Sequence, residues 1–262
     1  MDSSKILDFS QVTLRFGGVT ALEDVSFGVK SGELFAIIGP NGAGKTSIFN
    51  CINGVYKPQA GSVLFEGKEM IGERPVNVAR QGVGRTFQNL GLFMNLDLID
   101  NLLLGRHLKM KTGFFSGALW WGRAKNEEIK NRKKVETIID LLELQPYRYQ
   151  PVGLLPYGIQ KRVELGRALS MEPRILLLDE PVAGMNLEET EDMARYILEI
   201  NHELGVPILL VEHDMAMVMD IADRVMALDL SLIHISEPTR LLSISFSGLV
   251  VKKKMGGGGG GG

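Results

Sequence analysis

A glycine-rich segment, Gly39-Pro40-Asn41-Gly42-Ala43-Gly44-Lys45-Thr46, has the residue types and spacing needed to bind phosphate groups. It follows an apolar run over residues 34–38 and opens a helical pattern, the context in which Gly-x4-Gly-Lys-Thr forms a phosphate-binding loop. Glycines let backbone N–H groups curve around oxyanions, and the helix N-terminus adds partial positive charge. In such a loop Lys45 reaches the β- and γ-phosphates and the Thr46 hydroxyl binds Mg²⁺. An ordinary glycine-rich turn is the alternative, and it would need neither the strand nor the helix.

Two adjacent acids, Asp179 and Glu180, follow the uniform apolar run of residues 175–178. Ligands of open α/β sheets bind at the carboxyl ends of strands. We therefore expect Asp179 to hold Mg²⁺ through a water molecule and Glu180 to polarise the water that attacks a γ-phosphate. The alternative is a pair of surface acids at a strand end. An adjacent Asp-Glu pair favours hydrolysis over simple nucleotide binding, and the Asn-Lys-x-Asp tetrapeptide of GTPases is absent from the sequence.

The elements that must position these residues follow from the hydrophobic pattern. Continuous apolar runs suit strands buried on both faces of a parallel sheet, and they occupy residues 34–38, 175–178, 208–211 and 225–228, with helical patterns at 46–52 and 188–204. Residues 6–14 and 24–29 alternate apolar with polar, as half-buried strands do. From about residue 98 to 167 the periodicity is helical, with a long amphipathic segment at 126–144. The predicted fold class is α/β, a P-loop NTPase core with a mostly parallel sheet, an N-terminal antiparallel β subdomain and an inserted α-helical subdomain.

Composition narrows the class of protein. The 262 residues are 45% hydrophobic and 23% charged, which excludes a disordered chain, and the net charge of −2 gives no indication of nucleic-acid binding. The single cysteine, Cys51, excludes an internal disulfide or a cysteine-built metal site. No apolar run approaches the roughly 20 residues that span a bilayer, and the polar N-terminus does not resemble a signal peptide. We expect a cytoplasmic protein, peripheral on the inner face of the cell membrane.

Taken in order, these motifs resemble the ATP-binding subunits of ABC transporters, over nearly all of residues 5–229. The resemblance implies that Phe16 stacks on adenine, that residues 39–46 and Ser47 bind ATP, and that His213 contacts the γ-phosphate. It also implies that Gln88, in Gly84-Arg85-Thr86-Phe87-Gln88-Asn89, senses Mg²⁺ and joins the core to a helical subdomain at about residues 90–167. The implied catalytic residues are Glu180, His213 and Gln88, and the implied Mg²⁺ ligands are Thr46, Gln88 and Asp179. For Phe16 and His213, a place in the core is the alternative.

The segment Leu155-Pro156-Tyr157-Gly158-Ile159-Gln160, here named the signature segment, departs from the family's usual Leu-Ser-Gly-Gly-Gln. Pro156 stands where the serine would be, and it offers neither a hydroxyl nor a backbone N–H. The serine's bond to the γ-phosphate therefore cannot be carried over to this chain. Tyr157, Gly158 and Gln160 remain as expected nucleotide contacts. The Leu-x-Tyr-Gly-x-Gln form is similar to that of ATPases serving branched-chain amino acid importers.

The resemblance implies an ATPase with bound ATP and Mg²⁺ that powers a membrane transporter. Its expected partners are a second ATP-binding subunit, in a homodimer or heterodimer that meets at Gly184-Met185-Asn186, integral membrane permease subunits and, indirectly, a periplasmic binding protein. No nucleic acid is expected as a partner. The alternatives are the ATPase of a lipid or lipopolysaccharide exporter and a soluble ABC ATPase not tied to transport. Soluble members generally carry two nucleotide domains or long coiled-coil insertions, and neither is visible in this sequence.

The C-terminal residues 230–262 have a different character. Residues 230–240 read LSLIHISEPTR, which back-translates into a transposon-type sequencing adapter, and they are followed by Lys252-Lys253-Lys254 and an unbroken glycine run over 256–262. A flexible linker is the alternative interpretation of the glycine run. We expect residues 1–229 to be the ABC-type ATP-binding domain, truncated at its C-terminus, and residues 230–262 to be a non-native sequence that packs poorly.

Overall fold

A computed structural model of the chain describes residues 5–86, 91–109, 123–229 and 232–236. The strands are β1 (Lys5–Phe16), β2 (Val19–Lys30), β3 (Leu34–Ile38), β4 (Ala60–Phe65), β5 (Lys68–Glu69), β6 (Val83–Arg85), β7 (Ile175–Asp179), β8 (Ile208–Val211), β9 (Arg224–Asp229) and β10 (Leu232–Ser236). The helices are α1 (Lys45–Ile52), α2 (Pro75–Gln81), α3 (Leu98–Gly105), α4 (Arg123–Leu141), α5 (Tyr157–Ser170), α6 (Leu187–Leu204) and α7 (Met215–Ile221), with single 3₁₀ turns at His107–Lys109, Gln145–Tyr147 and Val152–Leu154.

A six-stranded sheet forms the centre of the fold, in the order β10-β9-β3-β8-β7-β6. Every pairing in it is parallel except that of β10 with β9. Helices α1, α6 and α7 lie in the connections between its strands, which is the doubly wound arrangement that parallel strands require. The predicted α/β core with a mostly parallel sheet is confirmed.

The continuous apolar runs arise because this sheet is buried on both faces. Leu176 and Leu178 of β7 pack into one hydrophobic cluster with α3 to α6, while Ile175 and Leu177 pack into a second cluster with α1 and the N-terminal strands. Strands β3 and β8 divide their residues between the two clusters in the same way. Alternate residues of one strand point to opposite faces, so a strand with two buried faces has no polar position.

The second sheet is antiparallel, four-stranded and ordered β2-β1-β4-β5. Its inner face supplies Leu7, Phe9, Val25 and Phe27 to the cluster shared with α1, and Phe27 stacks on Phe35 of β3 with ring centroids 5.5 Å apart. The predicted N-terminal antiparallel subdomain is therefore present. It is larger than the two alternating segments indicated, since β1 and β2 each extend over 12 residues.

Helices α3, α4 and α5 occupy the region where the sequence predicts helical structure, and they pack on one another. Helix α4 ends at Leu141 and not at residue 144, because Glu143 adopts a left-handed conformation with φ of 52°. The Leu144 N–H donates to the Ile139 carbonyl, which closes the helix end as a Schellman-type turn does. Among the helices of the described residues, none is long and apolar enough to cross a membrane.

The expectation of poor packing at the C-terminus stays a prediction, although Leu232–Ser236 forms a strand. This segment pairs with β9 as an antiparallel strand, with Ile233 opposite Leu228 and Ile235 opposite Met226. The backbone of Leu232–Ser236 pairs with the edge of β9 that β3 leaves open. An unpaired strand edge can pair with any segment of extended backbone. The other residues of 230–262 lie outside the described part of the chain.

Cys51 provides a test of this packing, since it lies fully buried on α1. Burial raises the pKa of its thiol to about 12, so almost no thiolate exists at pH 8. We expect an aromatic disulfide reagent at pH 8 to leave the folded protein unmodified and to label one thiol per chain in denaturant. Stoichiometric labelling of the folded protein would contradict the placement of α1.

Candidate active site

The loop between β3 and α1 requires glycine at two positions. A Cβ at Gly39 would collide with the carbonyl oxygen of Leu228 on β9, and Gly44 has φ of 99° with the Ala21 carbonyl against its Cα. Gly44 is the N-cap of α1 and has no side-chain cap, so the first N–H groups of the helix are available to a ligand. This geometry is that of an anion site at a helix N-terminus.

Lys45 lies across this loop and is 5% exposed. Its Nζ donates to the carbonyl oxygens of Gly39 at 2.7 Å and Pro40 at 2.8 Å. Burial lowers the pKa of Lys45, and the carboxylates of Glu180 and Asp179 oppose this shift. The ammonium group is thus held within the loop by backbone carbonyls.

A polar cavity of about 270 Å³ opens over the loop. It brings the catalytic candidate Glu180 to the phosphate-binding residues, although 133 positions separate Glu180 from Ser47 in the chain. Its lining residues are Ala21, Asn41, Gly42, Gly44, Lys45, Thr46, Ser47 and Glu180. The structure therefore brings residues of the phosphate loop and Glu180 together around one cavity.

Asp179, at the end of β7, is 1% exposed. Its Oδ2 accepts a hydrogen bond from Arg85 at 2.9 Å, and its backbone N–H donates to Thr86 Oγ1 at 3.3 Å. Burial raises the pKa of this carboxyl, and the Arg85 guanidinium opposes that shift. Its Oδ1 is buried without a hydrogen-bond partner, which leaves one acceptor oxygen for a cation or for water.

Sequence reasoning did not assign a role to Arg85, the last residue of β6. Its second nitrogen donates to Asn50 Oδ1 at 2.7 Å, so Arg85 bridges Asp179 and helix α1. The guanidinium also lies 5.4 Å from the centre of the Phe49 ring. A buried carboxylate needs a paired cation. In the sequence, Arg85 is one residue of the segment quoted for Gln88, and a single arginine there offers no distinctive signal.

Glu180 has φ of 50°, a conformation that residues other than glycine adopt rarely and that concentrates at functional sites. Its N–H donates to the Val211 carbonyl at 2.9 Å, which fixes the backbone where β7 ends. The side chain lies 2.7 Å from Nε2 of His213. The structure thus joins two residues that the sequence predicts to be catalytic.

Glu212 is a second residue that sequence reasoning missed. It is 2% exposed, and its carboxylate accepts from the N–H groups of Val182 at 3.0 Å and His213 at 2.8 Å. Burial raises its pKa, and these backbone hydrogen bonds oppose the shift. Glu212 therefore ties the segment after Glu180 to the segment that carries His213.

The remaining predicted residues have varied placements. Phe16 is 46% exposed and packs edge-on against Tyr56, and the His213 side chain is 40% exposed, so the core alternatives for these two residues are wrong. Gln88 lies outside the described residues. The signature segment is absent from the lining of the cavity within the described part of the chain: the Tyr157 hydroxyl donates to the Ala183 carbonyl, and the Gln160 amide donates to the Leu155 carbonyl.

The fold and this site define a P-loop nucleotide-binding protein with a strand-end carboxylate pair. The sequence profile of the family described as ABC transporter matches residues 22–183. The chain is 38% identical over 227 residues to the high-affinity branched-chain amino acid transport ATP-binding protein BraF of Pseudomonas aeruginosa, covering 87% of this chain and 89% of BraF. It is also 38% identical over 223 residues to the high-affinity branched-chain amino acid transport ATP-binding protein LivG of Escherichia coli K12, covering 85% of this chain and 88% of LivG.

Solved structures agree with these relatives. A nucleotide-free ATP-binding cassette from an ABC transporter aligns with a TM-score of 0.76 at 29% identity, covering 89% of this chain and 92% of that one. The ADP conformation of MJ1267, an ATP-binding cassette of an ABC transporter, aligns with a TM-score of 0.76 at 28% identity, covering 89% of this chain and 91% of that one. The chain belongs to the ABC transporter family, as one of its ATP-binding subunits, and its reaction is ATP hydrolysis.

Replacing Glu180 with glutamine tests the acid at the cavity wall. The amide keeps the size of the side chain and a hydrogen-bonding oxygen for His213, but it cannot accept a proton from water. We expect Glu180→Gln to bind ATP normally and to form the ATP-bound dimer, while phosphate release falls on the order of 10²–10⁴-fold. Equilibrium binding, size-exclusion chromatography and a phosphate assay measure the three properties, and normal turnover would remove Glu180 from this role.

Proposed function

We propose that this chain hydrolyses ATP to power an importer of branched-chain amino acids. The observation that carries the proposal is the 38% identity, over nearly the full length of both chains, to two ATP-binding proteins of branched-chain amino acid transport. The Leu-x-Tyr-Gly-x-Gln signature of this chain supports the same assignment. Relatives described as sulfate and polyamine import proteins are 31% and 30% identical, and the chain covers about 60% of their length.

In this proposal, the phosphate groups of ATP lie in the cavity over residues 39–46, held by backbone N–H groups and Lys45, and the adenine stacks on the exposed ring of Phe16. Thr46 and Asp179 would hold Mg²⁺, with Gln88 as a further ligand. The unpartnered Oδ1 of Asp179 supports this part, because a buried carboxylate oxygen without a donor suits a hard cation. Magnesium would neutralise charge that develops on the phosphate oxygens.

Hydrolysis needs a water molecule positioned in line with the γ-phosphorus. Glu180 accepts a proton from that water as its oxygen bonds to phosphorus, and the bond to the ADP oxygen breaks. His213 lies 2.7 Å from the Glu180 carboxylate, which restricts the rotation of the Glu180 side chain. In this proposal, the imidazole of His213 also contacts the γ-phosphate. Lys45 would leave its two carbonyl partners to reach the β- and γ-phosphates.

The complete site belongs to a dimer, in which the signature segment of one subunit covers the nucleotide of the other. The described lining of the cavity supports this arrangement, since residues of the signature segment are not part of it. The second subunit is another copy of the chain or a homologous partner. Permease subunits bind the dimer on the inner face of the membrane, and a periplasmic binding protein delivers the substrate to them.

Transport assays test the substrate. The chain is co-expressed with permease subunits of a branched-chain amino acid importer, and the complex is reconstituted in vesicles with the importer's binding protein. We expect ATP-dependent uptake of labelled leucine, isoleucine and valine, no uptake of sulfate or spermidine, and no uptake with the Glu180→Gln chain. Uptake of another solute, or lipid movement without amino acid uptake, would refute the proposed substrate class while leaving the ATPase intact.

We also propose that residues 1–229 are the ATP-binding domain and that residues 230–262 are not native. The support is the adapter-like peptide and the glycine run, and the pairing of Leu232–Ser236 with β9 needs only an alternating segment beside a free strand edge. Resequencing the gene with reads that cross codon 230 tests this part. We expect the coding sequence to depart from the present one just after Asp229, and an unchanged reading frame through Gly262 would refute the proposal.

A further inference from the structure

Tyr157 joins two segments that catalysis requires. It begins helix α5 in the signature segment, and its hydroxyl donates to the Ala183 carbonyl oxygen at 3.2 Å, 26 residues away in sequence. Its ring also lies against Gly184, where an added Cβ would be 3.3 Å from the ring edge. Gly184 has φ of 79°, so this loop turns tightly beneath the tyrosine. The family's usual glycine at position 157 could make neither contact.

A second contact fixes the same junction one residue further along. Gly158 packs so closely on the Glu189 carboxylate that a Cβ would collide with it. Glu189 in turn accepts from the Asn186 N–H at 3.0 Å, while the Asn186 side chain accepts from the Glu189 N–H at 2.9 Å. This reciprocal capping box makes the start of α6 rigid. The start of α5 therefore packs against the rigid start of α6.

The loop under Tyr157 continues directly from Glu180. The Ala183 N–H donates to the Glu180 carbonyl at 3.2 Å, and the Val182 N–H donates to Glu212 at 3.0 Å. Ala183, whose carbonyl accepts the hydrogen bond from Tyr157, is therefore also the residue whose N–H closes the turn after Glu180. With φ of 50°, Glu180 depends on such surrounding contacts to keep its conformation.

We propose that Tyr157 is a positioning residue: its hydrogen bond to Ala183 holds the turn after Glu180 of the same subunit in the geometry needed for hydrolysis. The inference rests on the proposed function and deepens it. The signature segment then acts twice, on the partner's nucleotide through its helix start and on its own Glu180 through Tyr157. ATP bound to one subunit is thereby linked to the hydrolytic acid of the other.

Tyr157→Phe tests the hydroxyl while it keeps the ring on Gly184. Loss of one hydrogen bond that orients the turn is expected to lower kcat about three- to tenfold, with KM, ATP affinity and the unfolding midpoint unchanged. The matched control is Tyr149→Phe, at a tyrosine that is 67% exposed, and its kcat should equal that of the unsubstituted chain. An unchanged kcat in Tyr157→Phe, or a parallel loss of ATP affinity, would overturn the inference. No phosphate release by the unsubstituted chain would instead refute the proposed function and the inference with it.

Mixed dimers separate the effect within one subunit from an effect on the partner. In a dimer with one Glu180→Gln subunit, ATP is hydrolysed only at the site that contains the intact Glu180. The signature segment that covers this site comes from the Glu180→Gln subunit. We expect Tyr157→Phe to lower turnover about three- to tenfold when it lies in the subunit with intact Glu180, and to lower turnover much less when it lies in the other. The reverse pattern, or equal losses in both arrangements, would overturn the inference.

Discussion

The turn at the end of β7 places a buried carboxylate, a left-handed glutamate and a tightly closed loop within five residues. Asp179 is buried and paired with Arg85, and Glu180 beside it has φ of 50°. An isolated peptide would not hold this arrangement, because a buried charge and an unfavourable backbone conformation both cost free energy. The site therefore depends on the contacts that surround the turn.

Those contacts arrive from four directions. The neighbouring strand β8 supplies the Val211 carbonyl to the Glu180 N–H, and the following segment supplies Glu212 and His213. Strand β6 supplies Arg85 on the other side. The start of α5 supplies the Tyr157 hydroxyl, which donates to the Ala183 carbonyl. Because these partners belong to several different elements, the geometry at Glu180 depends on the packing of much of the chain.

Sequence reasoning succeeds where one local pattern determines the outcome. Strands β3 and β8 match their predicted bounds because burial on both faces requires an uninterrupted apolar run. Strand β6 was not predicted, since Val83–Arg85 is three residues long with a glycine at its centre. The end of α4 was predicted three residues too late, because Leu142 and Leu144 continue the apolar pattern past the left-handed Glu143. Local sequence motifs were enough to predict the phosphate loop and Glu180. The contacts of Arg85, of Glu212 and of Tyr157 with Ala183 join residues far apart in sequence, so only the three-dimensional structure shows them.

The position of Lys45 has a consequence for how nucleotide enters the site. Its ammonium group donates hydrogen bonds to the carbonyl oxygens of Gly39 and Pro40, so a phosphate group that binds Lys45 would compete with these two carbonyls. The favourable electrostatics of phosphate binding are reduced by the energy of the two hydrogen bonds that break. Lys45 also stabilises the turn of the loop, because it links two consecutive carbonyl groups that would otherwise repel one another. Phosphate binding at Lys45 would therefore exchange one set of hydrogen bonds for another, and its free energy would be the difference between the two sets.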